Sequence, residues 1–321
     1  MYKAPGSRYS LYCNFKEIRG IFMLIVFRQL FILYIFLILG CFFGKRKPAL
    51  LGQTGILSFL LVNLFLPSKV FSTFSTNFTV SYLQDNYSTI LISVSLLLLL
   101  HFLSIPLAKL LEKEGYERKV YEYSLTITNY AYMGYALAEG VFGVKGLTDL
   151  ILFCIPFSIY TYTVGYVKLT GDGNYLKRLV NPMTVAISLG IFFGLTGIEV
   201  PMVAAKVLSS SAACVGALSM LLTGLTLASF PLGNLFQGKK CYALVALRLV
   251  LLPALVFAIC KILPLEQVLP SALFVAAMPT GLNTIVFPKS VGKSPELGAR
   301  LAFLSHLFSC ITVPLWLSML L

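Results

Sequence analysis

The sequence predicts an all-α integral membrane protein: ten transmembrane helices in two inverted repeats of five, with the fourth and ninth helices broken. Three observations predict it. Of 321 residues, 58% are hydrophobic and only 12% charged, with mean hydropathy +0.87, whereas a soluble domain carries about 25% charged residues. The apolar residues gather in ten runs, each near the roughly 20 residues that cross a bilayer. Short stretches also recur at a spacing of about 150 residues.

This composition excludes a soluble enzyme, a disordered chain and a collagen-like fibre. The net charge of +13 would suggest nucleic acid in a soluble protein. Here Lys and Arg sit in short clusters between apolar runs, so the expected partner is the lipid bilayer and not nucleic acid. Cys13, Cys41, Cys154, Cys214, Cys241, Cys260 and Cys310 lie far apart, with no CxxC and no Cys/His cluster. Neither a disulfide framework nor a metal site is indicated, and no cofactor is expected.

Residues 1–20 read as a polar tail. The runs follow at 21–43, 54–73, 89–108, 122–142, 148–167, 182–198, 205–230, 242–261, 269–288 and 298–320. The third and tenth are unambiguous. The fourth, from Glu122 to Glu139-Gly140, is polar enough for a hydropathy window to miss. Charge placement decides that it spans. With all ten runs crossing, one set of loops holds Lys45, Arg46, Lys47, Lys109, Lys113, Arg118, Lys119, Lys168, Lys177, Arg178, Lys239, Lys240, Lys289, Lys293 and Arg300. The opposite set holds only Lys145, Lys206 and Lys261. The positive-inside rule makes the first set cytoplasmic and places both termini outside the cell membrane. The tail opposes this with Lys3, Arg8, Lys16 and Arg19, but five loops outweigh one tail. Ile38-Leu39-Gly40-Cys41 also looks like a lipoprotein cleavage site, yet the repeat explains Gly40 better.

Leu39-Gly40-Cys41-Phe42-Phe43-Gly44 matches Leu189-Gly190-Ile191-Phe192-Phe193-Gly194. Phe157-Ser158-Ile159-Tyr160-Thr161 matches Phe308-Ser309-Cys310-Ile311-Thr312. The matches fall at corresponding places in two halves, 21–169 and 182–321, joined by a linker at 170–181. Five runs per half is odd, so the second half enters the membrane from the other side. That is the inverted-topology repeat of many secondary transporters, whose sites lie at interrupted helices in corresponding positions.

The fourth run, with Thr128-Asn129-Tyr130 and Gly134, and the ninth, with Met278-Pro279-Thr280-Gly281-Leu282-Asn283-Thr284, are the candidates. Pro279 removes a backbone donor, and Gly281 relaxes the backbone. Irregular backbone at membrane depth survives only where protein or a wet cavity satisfies it. Thr280, Asn283, Thr284, Thr128 and Asn129 supply polar groups for that purpose. A helix N-terminus exposed at such a break suits an anion. Kinked helices whose Asn and Thr bond to neighbours are the alternative.

The ordered set of motifs resembles the auxin efflux carrier family in its shorter prokaryotic form, over nearly all of residues 21–321. Asn63-Leu64-Phe65-Leu66-Pro67 with Val70-Phe71-Ser72 is similar to its second helix, and Asn129 to Gly143 to its fourth. Asn181-Pro182 to Gly194 resembles the sixth, and Ala217 to Gly224 the seventh. Pro279 to Asn283 and Thr312-Val313-Pro314-Leu315-Trp316 resemble the ninth and tenth. The resemblance implies that the fourth and ninth helices cross beside the substrate, that a bacterial relative carries a small carboxylate such as malate or malonate, and that the protein forms a homodimer. One departure stands out. The family often has Gly-x-Pro in the fourth helix where this chain has Gly134-Tyr135-Ala136, which predicts a softer break.

Ionisable residues at membrane depth are functional candidates by default. Lys69 is placed to attract an anion or to snorkel outward. Arg248 reads as a snorkelling cation or bundle glue before a substrate contact, Arg28 as an anchor, and His101 and His306 as packed, hydrogen-bonded residues before proton relays. Glu139 reads as an interfacial carboxylate or a cation ligand. The expected substrate-binding residues are Asn129, Tyr130, Gly134, Pro279, Thr280, Gly281, Asn283, Thr284, Asn63 and Lys69. The expected function is a secondary permease moving a small organic anion by alternating access. The alternatives are a sodium-coupled symporter of the bile-acid type and a membrane sensor with a transporter shape. No HExxH, GxSxG or paired-Asp motif supports an enzyme.

Overall fold

The computed structural model describes residues 7–174 and 178–321, with side chains from Arg19 onward. The side chains of Arg8, Cys13 and Lys16, and all of Lys3 and Lys177, lie outside the described residues. The described chain is helical, and seven of its helices are long and apolar enough to cross a membrane.

The first helix, α1 (Ser7–Arg46), starts within the expected polar tail. α2 (Thr54–Leu60) continues through a π turn at Leu61–Phe65 into α3 (Leu66–Asn77). α4 (Val80–Leu111) is capped by the Thr79 hydroxyl and absorbs Pro106. Lys240 bonds the Glu112 carboxylate just beyond its end at 2.7 Å and holds that carboxyl below its usual range.

α5 (Gly115–Thr126) stops short of the expected fourth run's end. The chain extends over Ile127 to Asn129, turns through a π segment at Tyr130–Gly134, and resumes as α6 (Tyr135–Tyr160). The expected boundary between the fourth and fifth runs falls inside α6, at Gly143, whose φ of 69° and ψ of −167° are not helical. A second π turn, Thr161–Gly165, leads into α7 (Tyr166–Thr170).

α8 (Pro182–Thr196) opens on a capping box, in which the Asn181 carboxamide accepts from the Met183 and Thr184 N–H groups. α9 (Met202–Ala213) and α10 (Val215–Ala228) form one apolar stretch. α11 (Lys239–Ala246), a π turn at Leu247–Leu251 and α12 (Leu252–Ile262) form the next. The ninth run divides into α13 (Leu269–Ala277) and α14 (Asn283–Ser290). α15 (Glu296–Leu317) leads into a closing 3-10 turn at Ser318–Leu320.

Glycines, among them the matched Gly40 and Gly190, permit close helix packing. α1 lies along α10, where a Cβ on Gly40 would sit 2.2 Å from the Leu221 carbonyl and one on Gly224 2.0 Å from that of Leu37. α8 lies along α3, where a Cβ on Gly190 would meet Phe74 at 2.9 Å and one on Gly194 the Phe74 carbonyl at 2.5 Å. Small residues let backbones approach where apolar side chains give no net driving force in lipid. The matched pair Gly40 and Gly190 thus has one job in two helices.

Candidate functional site: the crossing of two broken helices

The two helix breaks meet. Thr128 and Thr280 form an isolated antiparallel bridge, and the Asn129 N–H donates to the Pro279 carbonyl at 2.7 Å. Each break therefore supplies hydrogen bonds that the other lacks, which is how irregular backbone survives at membrane depth.

The breaks arise differently. Pro279 has no N–H, and its ring excludes a helical bond to the carbonyl four residues back. That carbonyl, on Val275, accepts instead from the Met278 N–H and from Arg248 Nη2, each at 3.3 Å. Arg248 is fully buried and does not snorkel; its Nε and Nη1 have no protein partner. The fourth-run break forms without a proline. It lies upstream of Gly134, at the β-branched run Thr126-Ile127-Thr128, where stiff side chains favour extended backbone. The missing Gly-x-Pro does not soften it into a continuous helix. Both carbonyl-side flanks are extended, with ψ of 136° at Ile127 and 148° at Met278.

Two helix N-termini begin here, at Asn129–Tyr130 and Leu282–Asn283, and both border one small cavity. Its volume for water centres is about 20 Å³, room for about one water. Gly281 lets the strands approach, since a Cβ there would lie 3.1 Å from the Thr128 carbonyl. The Thr128 and Thr280 hydroxyls are buried without a hydrogen-bond partner. A buried hydroxyl without a partner is costly.

The surrounding elements fix the crossing. The Thr280 N–H donates to Ser305 Oγ at 3.0 Å. Asn283 Nδ2 donates to the Tyr123 hydroxyl at 3.2 Å, and the Thr284 hydroxyl to the Gly281 carbonyl at 2.9 Å. The Tyr130 hydroxyl bonds Ser158, at 3.1 Å, within the repeated Phe-Ser motif. Ser219 of α10 donates to the Tyr132 carbonyl at 2.7 Å. His306 of α15 bonds Asn129 Nδ2 at 3.0 Å.

Of the expected site residues, Asn129, Tyr130, Gly281 and Asn283 line the cavity. Pro279, Thr280 and Thr284 shape its backbone, and Gly134 donates its N–H to the Asn129 carbonyl at 3.0 Å. Asn63 and Lys69 are elsewhere. Asn63 is exposed and bonds the Phe59 carbonyl of its own helix. Lys69 is buried and paired with Glu139, neither snorkelling nor facing the cavity. His101 is bonded to the Tyr160 hydroxyl at 2.8 Å, away from the crossing. Tyr132, Thr161, Tyr162 and Met183 also line it. Tyr132 and Met183 fall within the motifs of the fourth and sixth runs and Thr161 within the repeat match, but none is among the expected site residues.

Larger, open cavities lie beyond the crossing at opposite ends of the broken helices. One, of about 310 Å³, is bordered by Phe142, Lys145, Asp149 and Phe274. Phe142 and Phe274 meet edge to face at 5.8 Å, and Phe274 lies against Gly134. The other, of about 630 Å³, is bordered by Arg118, Glu122 and Lys168. There Glu122 takes Arg118 Nε at 2.9 Å on one oxygen and Lys168 Nζ at 2.7 Å on the other.

The family model described as "Membrane transport protein" matches residues 25–178 and 172–317. No curated protein matches the chain. The two matches together run through nearly all of the spanning region, and the chain is a multi-pass membrane protein. It belongs to the auxin efflux carrier family, a family of membrane transporters rather than of enzymes.

Proposed function

We propose that this protein is a secondary active transporter that moves a small organic anion, a carboxylate, across the cell membrane by alternating access at the crossing. One observation carries the reading. Two half-helix N-termini converge on a cavity whose nearby Thr128 and Thr280 hydroxyls lack partners. The first-turn N–H groups of a helix have no intrahelical acceptor, and the macrodipole favours negative charge there.

The cavity is too small for a carboxylate, which fits a closed state between two open ones. The larger cavities at the two ends supply the approaches, one past the Phe142–Phe274 contact and one past the Arg118–Glu122–Lys168 cluster. Ten crossings in two inverted halves account for the pairing of α1 with α10 and of α3 with α8. The matched glycines Gly40 and Gly190 serve both. In this reading the basic end carrying Arg118, Lys168 and Lys240 faces the cytoplasm and the termini lie outside.

The test is thermal unfolding of the detergent-purified protein with malonate, malate and indole-3-acetate, followed by counterflow in proteoliposomes. A ligand that binds the native state raises its stability by mass action. One carboxylate class is expected to stabilise and to exchange. Asn283→Ala is expected to weaken it about tenfold, the equivalent of roughly 1.4 kcal/mol. Stabilisation by neutral solutes alone would overturn the anion reading.

A further inference from the structure

We propose that His306 is a proton-accepting positioning residue: it sets which end of the Asn129 carboxamide is free at the cavity and so links anion binding to proton uptake. This rests on the anion reading above.

The hydrogen bonds assign the resting state. His306 Nδ1 lies 2.7 Å from the Ala302 carbonyl. A carbonyl only accepts, so Nδ1 carries the hydrogen. In the neutral ring Nε2 is then an acceptor, and it takes its bond from Asn129 Nδ2 at 3.0 Å. One of the two N–H groups of the Asn129 amide is committed to the ring, and its oxygen takes no hydrogen bond from a described residue. An oxygen is the wrong group to offer an anion.

Protonation reverses this. Imidazolium has two donors and no acceptor, so Nε2–H would face the Asn129 NH2. A half-turn of the carboxamide resolves the conflict: Oδ1 is withdrawn to accept from His306, and both N–H groups of the NH2 become free to donate to a carboxylate. The proton stays on Nε2, no covalent bond changes, and the amide only rotates.

Charge balance makes the two events interdependent. His306 is buried, and an unpaired charge there is costly. The titratable groups that face it are Tyr34 from α1 and Cys310 on its own helix, both turned to the His306 carbonyl, at 2.6 and 3.7 Å. From the crossing its hydrogen-bond partner is Asn129, which does not titrate, and the π turn packed on the same helix carries the buried cation Arg248, whose Nη2 is on the Val275 carbonyl. No acidic or basic side chain is among its hydrogen-bond or ion-pair partners in the described residues. The counter-charge for an imidazolium must therefore come from the ligand. Each of anion and proton raises the affinity for the other, as linkage requires.

The test uses whichever of malonate, malate or indole-3-acetate stabilises the purified protein, with affinity measured from about pH 6.5 to 8.5, where the carboxylates are ionised. Wild type should lose about tenfold in affinity per pH unit, the slope for one linked proton. Calorimetry in buffers of different ionisation enthalpy should count about one proton taken up. His306→Gln keeps a donor and an acceptor but binds no proton, and should bind the same anion with a flat pH profile and no uptake. Should that variant fail to fold, His306→Asn, which also binds no proton, is measured in its place. Anion binding with no pH dependence and no uptake in wild type overturns the coupling and leaves the anion site standing. A sloped profile kept by His306→Gln overturns the assignment to His306. Absence of carboxylate binding at every pH overturns the function proposed above and this inference with it.

Discussion

Lys69 and Glu139 form a pair whose ends sit in different surroundings. The Lys69 side chain is 6% exposed and that of Glu139 43%. Removing the carboxylate strands an ammonium in the interior, whereas removing the ammonium leaves a carboxylate already half exposed. Glu139→Gln is therefore expected to cost about 3 kcal/mol, the scale for breaking a buried pair from its exposed side, and Lys69→Met much less. Thermal unfolding of the two variants measures the difference; equal losses would show that both ends are solvated alike. The sequence singled out both residues, one as an anion attractor or snorkelling cation and the other as an interfacial carboxylate. It could not join them, because they are 70 positions apart. His306 is similar. As one of two histidines it read as a packed, bonded residue, and so it is, but nothing in the sequence near it names Asn129 as its partner.

Elements show a finer division. Pro279 announced the break in the ninth run because proline acts on its own helix. The break in the fourth was expected to be soft. Its physical cause, three consecutive β-branched residues beside an asparagine, was present at Thr126-Ile127-Thr128, but it needed the Pro279 carbonyl as a partner to become an extended segment. Glycines give the sharpest prediction at this scale. Gly224→Ala places a methyl 2.0 Å from the Leu37 carbonyl and 2.7 Å from the Cys41 nitrogen, so α1 and α10 must separate. The cost is expected at about 1–3 kcal/mol, the range for overpacking. Gly55→Ala, in α2 with nothing within 4 Å, is expected to be neutral or to stabilise by up to about 1 kcal/mol through reduced backbone entropy. Thermal unfolding of both variants side by side separates close packing from a general intolerance of glycine replacement.

At the scale of the whole molecule, the broken helices carry a small cavity at their crossing and a larger one towards each end. The ends differ in charge, with Arg118 and Lys168 at one and Lys145 at the other. In a cysteine-free background, Lys145→Cys is expected to react with a membrane-impermeant maleimide on intact cells, and Lys113→Cys only after the membrane is opened. Both positions are exposed, so the bilayer alone decides the outcome. Labelling of Lys113→Cys on intact cells would reverse the orientation.

The sequence by itself determined that the chain lives in a membrane and which segments carry irregular polar backbone, and its ordered motifs pointed to the family. These are one-dimensional properties: the bilayer imposes the same demand for apolar length on every segment, and Pro, Gly and Lys act where they stand. Only the tertiary structure decided that Thr128 meets Thr280, that Asn129 bonds a histidine 177 residues away, and that Lys69 pairs with Glu139 rather than facing the cavity. Such contacts depend on how helices rotate and cross. In lipid that is governed by close packing and by the need of each buried polar group for a partner, neither of which can be read from any one helix alone.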